Sequence, residues 1–196
     1  NSKWVDDSYV LVGKARYYSA DFVNAIETFK FVNVESENDD DTRHEALVFL
    51  MRTFIDYNEQ NNAIAVSDFL RKEKLNKNNL KNLYLTRAYL YQQREDYSNM
   101  VKNLALASPL LEKTDQPARY HFIIGQIFQE LGFESLAYEN YEKTLKNNPA
   151  YELSFYARLN MAQVFELADK KDVEKARKFF NNLLKDAKNK EFQDKI

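Results

Sequence analysis

Residues 118–149 read ARYHFIIGQIFQELGFESLAYENYEKTLKNNP and contain the pattern that decides the fold. Apolar residues recur at helical spacing on both sides of Gly132, which predicts two amphipathic helices joined at that glycine. Small residues at Gly125 and Ala137 would let the two helices approach each other closely. Pro149 then ends the second helix, because proline cannot continue the helical hydrogen bonds. The stretch is therefore predicted to be a helical hairpin.

The same pattern recurs along the whole chain at a nearly constant interval. Gly125 has an equivalent in the first helix of each of four other predicted helix pairs. The successive intervals between these equivalent residues are 38, 37, 37 and 37 residues. The five equivalent residues are Gly13, Met51, Ala88, Gly125 and Ala162. One such helix pair cannot bury its apolar stripe alone, so neighbouring pairs must stack to complete a core.

This repeat resembles the tetratricopeptide repeat, a helix pair in which small residues allow close packing and a proline ends the second helix. The resemblance implies an all-α fold, a tetratricopeptide-type right-handed superhelix of about five antiparallel helix pairs. The interval exceeds the repeat's usual length of about 34 residues, which predicts helices or turns about one helical turn longer. We expect a single array over residues 1–196, as a piece of a longer chain. Its predicted pairs are residues 4–34, 42–74, 78–113, 116–148 and 151–187, with 188–196 as a trailing cap or the start of a further repeat.

Composition excludes several classes of function. Lys and Arg total 28 against 30 for Asp and Glu, so the net charge of -2 lacks the basic excess of a nucleic-acid-binding protein. Without cysteine, the chain can form neither disulfides nor thiolate metal sites, and it has no thiol nucleophile. No uninterrupted apolar run approaches the ~18 residues of a membrane-spanning helix. We therefore expect protein partners, no nucleic acid and no membrane span within these residues.

The sequence does not predict catalysis, a metal site or a cofactor. It lacks a phosphate-binding glycine loop, a GxSxG nucleophile motif and an HExxH zinc motif. The two histidines, His44 and His121, have no second His or Cys one helical turn away to share a metal. His44 is expected in solvent at the start of a helix, and His121 is expected to be a partly buried structural residue.

An enzyme acting on peptidoglycan or sugars, built on paired helices, is the contrasting alternative. It would need two acidic residues about 5–10 Å apart across an inner groove. The inward acidic residues fall in different repeats, so we expect no enzyme activity. These residues are Asp7, Glu45, Asp56, Glu130 and Glu166.

Residues 36–42, SENDDDT, have the composition of a solvated loop followed by a helix cap. Asp41 or Thr42 is expected to be the N-cap, and Glu45, three residues after Thr42, completes a capping-box pattern. A calcium loop is the alternative, but it needs alternating oxygen ligands and a turn glycine at fixed spacing. Neither is present, which favours a plain cap and linker.

The inner face of the first helices is the predicted binding surface, because stacked pairs curve and leave these helices on a concave wall. The wall is apolar and aromatic near its N-terminal end and rich in amides near its C-terminal end. That composition suits an extended peptide or a partner helix. An alternative remains open, in which a neighbouring repeat outside this sequence covers Val10, Leu11 and Tyr17. The predicted partner-binding residues are Lys14, Tyr17, Tyr18, Phe49, Arg52, Tyr89, Arg119, Phe122 and Gln126.

Three phrases carry a narrower resemblance: NSKWVDDSYVLVGKARYY at 1–18, ARYHFIIGQIFQELG at 118–132 and NPAYELSFYARLNMA at 148–162. They are similar to segments of the SprE/PorW family, tetratricopeptide lipoproteins of Bacteroidetes that serve type IX secretion and gliding motility. The resemblance implies a non-enzymatic periplasmic scaffold, held at the outer membrane by a lipid anchor outside these residues. Its partner would be a protein or peptide segment of a secretion or envelope complex. BamD-like outer-membrane assembly lipoproteins use a similar opening phrase, so such a factor or a generic tetratricopeptide adaptor is the alternative.

Overall fold

The computed structural model describes residues 3–36, 39–112, 116–165, 170–185 and 187–195. Within these ranges the chain forms α-helices and two 3₁₀ segments, Ser108–Leu110 and Ala187–Lys195, and it contains no strand. The predicted all-α fold is confirmed. The α-helices are α1 (Lys3–Tyr18), α2 (Phe22–Glu35), α3 (Asp40–Asp56), α4 (Gln60–Leu70), α5 (Lys77–Gln93), α6 (Tyr97–Ala107), α7 (Pro117–Glu130), α8 (Glu134–Lys146), α9 (Tyr151–Phe165) and α10 (Lys170–Lys185).

The chain packs into two compact units, residues 1–110 with α1–α6 and residues 111–196 with α7–α10. In the first unit α2 packs on α3, and α3 also contacts α1 and α5. In the second unit α8 packs on α9, and α7 also contacts α9. The first helices of successive pairs are therefore neighbours within each unit, as stacked helix pairs require. The extension of these pairs into one array over the whole chain stays a prediction.

Two glycines allow the helices of a pair to approach each other. A Cβ atom added to Gly125 would lie 2.6 Å from Cε1 of Tyr141, and one added to Gly13 would overlap the ring of Phe29. Both rings are fully buried. Each glycine thus admits an aromatic side chain from the second helix of its own pair.

The turn inside each of the first four pairs has the same backbone conformation. One residue there adopts a positive φ, and its position repeats at intervals of 38, 37 and 37 residues. These residues are Ala20 (58°), Asn58 (63°), Glu95 (55°) and Gly132 (75°). A positive φ is sterically unfavourable for a residue that has a side chain. Of these four turns, only the fourth avoids this cost by having glycine.

Helix α3 begins earlier than predicted. Its N-cap is Asp39, whose Oδ1 accepts a hydrogen bond of 3.1 Å from the backbone N–H of Thr42. The expected caps, Asp41 and Thr42, lie inside the helix, and the side chain of Glu45 pairs with Lys14. Starting at Asp40 places two carboxylates in the first turn, where the helix dipole favours negative charge.

The early start of α3 also explains a wrong prediction for His44. This residue lies in the second turn of the helix, and its side chain is buried in the first unit. Its Nε2 lies 3.5 Å from Oε2 of Glu73. His44 is therefore part of the packed interior and does not face solvent.

Candidate functional site

One side of the neighbouring helices α1, α3 and α5 is the predicted inner face of the first unit. At its centre the carboxylate of Asp56 on α3 accepts two hydrogen bonds from tyrosines on the flanking helices. Tyr17 on α1 donates to Oδ2 at 2.5 Å, and Tyr89 on α5 donates to Oδ1 at 2.6 Å. Asp56 therefore connects the first helices of three successive pairs.

Aromatic and cationic side chains surround this centre. The rings of Tyr17 and Phe49 meet edge to face, with centroids 6.2 Å apart. Lys14 places Nζ 4.7 Å above the centre of the Phe49 ring and forms an ion pair with Glu45. The guanidinium of Arg52 lies 5.5 Å from the centre of the Tyr17 ring. Such contacts between a cation and a ring hold both groups in defined positions.

The predicted residues of this face differ in how far a partner could reach them. Tyr17 is buried, while Phe49 and Tyr89 are half-buried and pack against the core of the unit. Arg52 and Tyr18 are exposed, and Tyr18 shows 70% of its surface to solvent. The ring of Tyr18 also contacts that of Tyr17, with centroids 5.1 Å apart. The face thus has a fixed base and two reachable side chains, Tyr18 and Arg52.

The two tyrosine hydroxyls keep their protons more firmly than an isolated tyrosine does. Burial, and then the hydrogen bond to Asp56, raise the pKa of Tyr17 to about 12. For Tyr89, the hydrogen bond to Asp56 is the largest of the causes that raise the pKa. In both cases a nearby carboxylate opposes formation of a second negative charge. The bridge is therefore intact at neutral pH.

Asp56 was predicted only as one of several scattered acidic residues, and its bridging role was missed. It follows Phe49 and Arg52 at a spacing of seven and four residues, which places the three side chains on one side of α3. That spacing, with tyrosines on the neighbouring first helices, was the available signal. Asp7 is likewise engaged, because Oδ1 accepts a hydrogen bond from the Thr42 hydroxyl. Glu166 lies outside the described residues.

Three predicted residues of the second unit line one groove between the N-terminal halves of α7 and α9. Its volume is about 570 Å³. Arg119 and Gln126 are exposed on α7, and Phe122 between them packs on Tyr141 with centroids 5.6 Å apart. The lining residues are Gln116, Ala118, Arg119, Phe122, Ile123, Gln126, Pro149, Ala150, Glu152, Leu153 and Tyr156. This groove combines an apolar floor with charges of both signs at its edges.

Other amides of the second unit bind to each other and to one tyrosine. Tyr141 donates a hydrogen bond of 2.7 Å to Oε1 of Gln129 and accepts one of 3.2 Å from Asn160. Gln129 also donates to Gln163 at 3.4 Å. These amides connect α7, α8 and α9. In this groove Gln126 is an exposed amide that a partner could reach.

The open question about Val10, Leu11 and Tyr17 is answered separately for each residue. Val10 and Tyr17 are buried by the first unit itself, so they need no additional repeat to cover them. Leu11 is exposed. Only Leu11 of the three therefore belongs to a surface that another chain segment could cover.

His121 is buried, more fully than the partial burial that the sequence predicted. Its Nδ1 lies 3.3 Å from Oδ1 of Asn140, and burial lowers the pKa of the imidazole. Among the described residues, no cluster of three His, Asp or Glu side chains is arranged to hold a metal ion. Among the described helices, none combines the length and apolar character needed to cross a membrane.

Solved structures with this arrangement of helices are tetratricopeptide proteins. A MamA protein superposes with a TM-score of 0.59 at 21% identity, covering 94% of this chain and 93% of its own. A tetratricopeptide repeat protein from Parabacteroides merdae gives 0.59 at 17% identity, over 94% of this chain and 68% of its own. Kinesin-light-chain-like repeats from Podosopora anserina give 0.61 at 13% identity, over 91% and 96%. No family model matches the sequence, and no curated protein is significantly similar to it. The likeness establishes the tetratricopeptide fold.

Proposed function

We propose that this chain is a non-enzymatic scaffold that binds segments of partner proteins on its inner faces. The observation that carries the proposal is the Tyr17–Asp56–Tyr89 bridge, which fixes three helices beneath Tyr18 and Arg52. A surface that is ordered before binding loses less conformational entropy when the partner arrives. Tyrosine and arginine are also the residue types that most often dominate the energy of protein interfaces.

The groove between α7 and α9 gives the proposal a second, independent surface. Its apolar floor suits aliphatic or aromatic side chains of a peptide, while Arg119 and Glu152 at its edges suit charges of either sign. A volume of about 570 Å³ accommodates a few residues of an extended peptide or one face of a helix.

We further propose that the partner belongs to an envelope complex and that the chain is an accessory component of type IX secretion and gliding motility. The support is the resemblance of residues 1–18, 118–132 and 148–162 to the SprE/PorW family. The same proposal places the chain in the periplasm, with a lipid anchor outside these residues. An outer-membrane assembly role of the BamD type is the alternative, because lipoproteins of that type share a similar opening phrase at 1–18.

Affinity capture from a Bacteroidetes envelope extract tests both the assigned binding surfaces and the proposed role in type IX secretion. The wild-type chain is compared with a Tyr18→Ala/Arg52→Ala variant and with a separate Arg119→Ala variant. Recovery of secretion-channel proteins supports the type IX role, and recovery of barrel-assembly proteins supports the alternative. Undiminished capture by both variants would overturn the assigned surfaces.

The controls for this experiment carry the same substitutions at exposed positions elsewhere. Tyr97→Ala/Arg71→Ala changes an exposed tyrosine on α6 and an exposed arginine after α4. Arg158→Ala changes an exposed arginine on α9 that does not line the groove. These controls should capture the partner as the wild type does, because they remove the same types of side chain at positions outside the assigned surfaces.

A further inference from the structure

The groove between α7 and α9 contains two charges that the second unit does not neutralise. Arg119 on α7 and Glu152 on α9 both line the groove, and both are exposed. Neither side chain has an ion-pair or hydrogen-bond partner among the residues that the structure describes. In the first unit, by contrast, Lys14 forms an ion pair with Glu45. The two helices that form the groove therefore offer opposite, unmatched charges to a bound segment.

Two exposed amides lie along the α7 side of the same groove. Gln116 immediately precedes the helix, and Gln126 lies in its C-terminal half. Within the described ranges these two side chains have no hydrogen-bond partner, whereas Gln129 and Gln163 bond to each other. An amide side chain offers a donor and an acceptor, and the backbone of an extended segment has both groups unpaired. A helix satisfies its own backbone groups, so the two amides favour an extended segment.

The apolar floor and the helix spacing limit the length of that segment. Phe122, Leu153 and Tyr156 contribute half-buried apolar surface to the floor. Arg119 and Gln126 are seven residues apart in sequence, which is about 10.5 Å along the axis of α7. An extended chain rises about 3.3 Å per residue and covers this distance in about three steps. The groove therefore accommodates about four consecutive residues between its charged and amide groups.

We propose that this groove binds an extended protein segment of about four residues that carries an acidic, a basic and an apolar side chain. This inference rests on the proposed function and names the segment that the second surface takes. The carboxylate pairs with Arg119, the cation pairs with Glu152, and the apolar side chain lies on the floor. Successive side chains of an extended chain point to opposite sides, so an adjacent acid and base can face different helices. A segment with two like charges would place one of them against a like charge of the groove.

Synthetic peptides and two charge reversals test this assignment. Capped octapeptides share two central leucines and differ in the preceding pair, which is Asp-Lys, Asp-Asp, Lys-Lys or Ser-Ser. Dissociation constants are measured by NMR chemical-shift titration at low salt for the wild type, Arg119→Glu and Glu152→Arg. The wild type should bind the Asp-Lys peptide most tightly, and each reversal should weaken that binding about tenfold. Arg119→Glu should instead prefer the Lys-Lys peptide, and Glu152→Arg should prefer the Asp-Asp peptide.

Arg158→Glu and Glu139→Arg are the matched controls, because they change the net charge equally at exposed positions that do not line the groove. Both controls should keep the wild-type order of peptides, and circular dichroism confirms that all variants are folded. Equal affinity of the wild type for all the peptides would overturn the inference, as would the absence of binding. Neither result would contradict partner capture through Tyr18 and Arg52. Failure of the proposed function would instead appear as a wild-type chain that captures no protein from the envelope extract.

Discussion

The Tyr17 hydroxyl on α1 lies 2.5 Å from Oδ2 of Asp56 on α3 and donates a hydrogen bond to it. Because the other carboxylate oxygen accepts from Tyr89 on α5, one side chain sets the relative position of three helices. Tyr18 and Arg52 both contact Tyr17, which this hydrogen bond holds in place. The positions of the two exposed side chains therefore depend on Asp56, which the partner need not contact.

Removal of the bridging carboxylate should weaken the first unit. Asp56→Ala leaves two partly buried tyrosine hydroxyls without their acceptor, which we expect to reduce the free energy of unfolding by about 1–3 kcal/mol. Urea denaturation followed by circular dichroism measures the change. Asp68→Ala is the control, because that exposed carboxylate lies 3.8 Å from Arg71 and its removal should cost no more than about 0.5 kcal/mol. Equal effects of the two substitutions would contradict a bridging role.

The bridge should also be visible in an alkaline titration. The folded chain holds the Tyr17 proton up to a pKa of about 12, whereas an unfolded tyrosine releases it at 10.0. The resulting stability is fully present below pH 10 and is lost as the pH rises through about 12. Tyrosinate absorbance should show late-ionising groups, including Tyr17 and Tyr141, whose pKa burial also raises to about 12.

The pKa of Tyr17 is raised both by Asp56 and by burial, and the two contributions can be separated. Asp56→Asn should lower the Tyr17 midpoint, which should nevertheless stay above its ordinary value because the ring remains buried. Tyr17→Phe identifies the signal by removing it. An unchanged midpoint in Asp56→Asn would show that the carboxylate does not hold the proton.

The helix pairs could be predicted from sequence because their register depends on local spacing. Gly13 and Phe29, like Gly125 and Tyr141, contact each other over a fixed separation that the repeat itself displays. The Asp56 bridge could not be predicted in the same way. It depends on the positions of two tyrosine hydroxyls from different pairs. A small change in helix tilt would place another residue opposite the carboxylate.

The prediction for His44 failed at a helix boundary, where sequence signals are weakest. Three consecutive aspartates offered several caps, and the choice of Asp39 moved His44 two to three residues further from the start of α3. Among the predicted binding residues, Arg119, Phe122 and Gln126 line one groove on α7, and their role in binding stays a prediction. The repeat register could not show that Tyr17 is buried, because exposure depends on the neighbouring helix as well as on register.

The strained turn of the first pair offers a stabilising substitution. Ala20 adopts a φ of 58°, and glycine at the equivalent position of the fourth pair avoids the steric cost of this conformation. Ala20→Gly should therefore raise the free energy of unfolding by about 0.5–1 kcal/mol, after allowance for the greater entropy of unfolded glycine. Thermal and urea denaturation measure the change. The same replacement at Ala15, an exposed position within α1, should cost about 1 kcal/mol, so opposite signs are expected. Destabilisation by both substitutions would rule out strain at the turn.

Lower pH should reduce the free energy of unfolding, partly through protonation of His121. The folded state keeps this imidazole neutral because burial lowers its pKa below 6.5, whereas the unfolded chain binds a proton at the ordinary value. The unfolded state therefore holds more protons as the pH falls through 6.5, and stability declines in that direction. Imidazole signals in an NMR titration should show a midpoint for His121 below the ordinary value.

The contribution of His121 to acid sensitivity can be isolated with a variant that cannot titrate. His121→Gln retains a polar group able to bond to Asn140, which lies 3.3 Å from the imidazole. Urea midpoints measured from about pH 7.5 to about pH 5.5 should fall less for this variant than for the wild type. Both proteins carry the same acidic residues, so the difference between the two curves reports the histidine. Parallel curves would mean that the fold does not exclude a proton from His121.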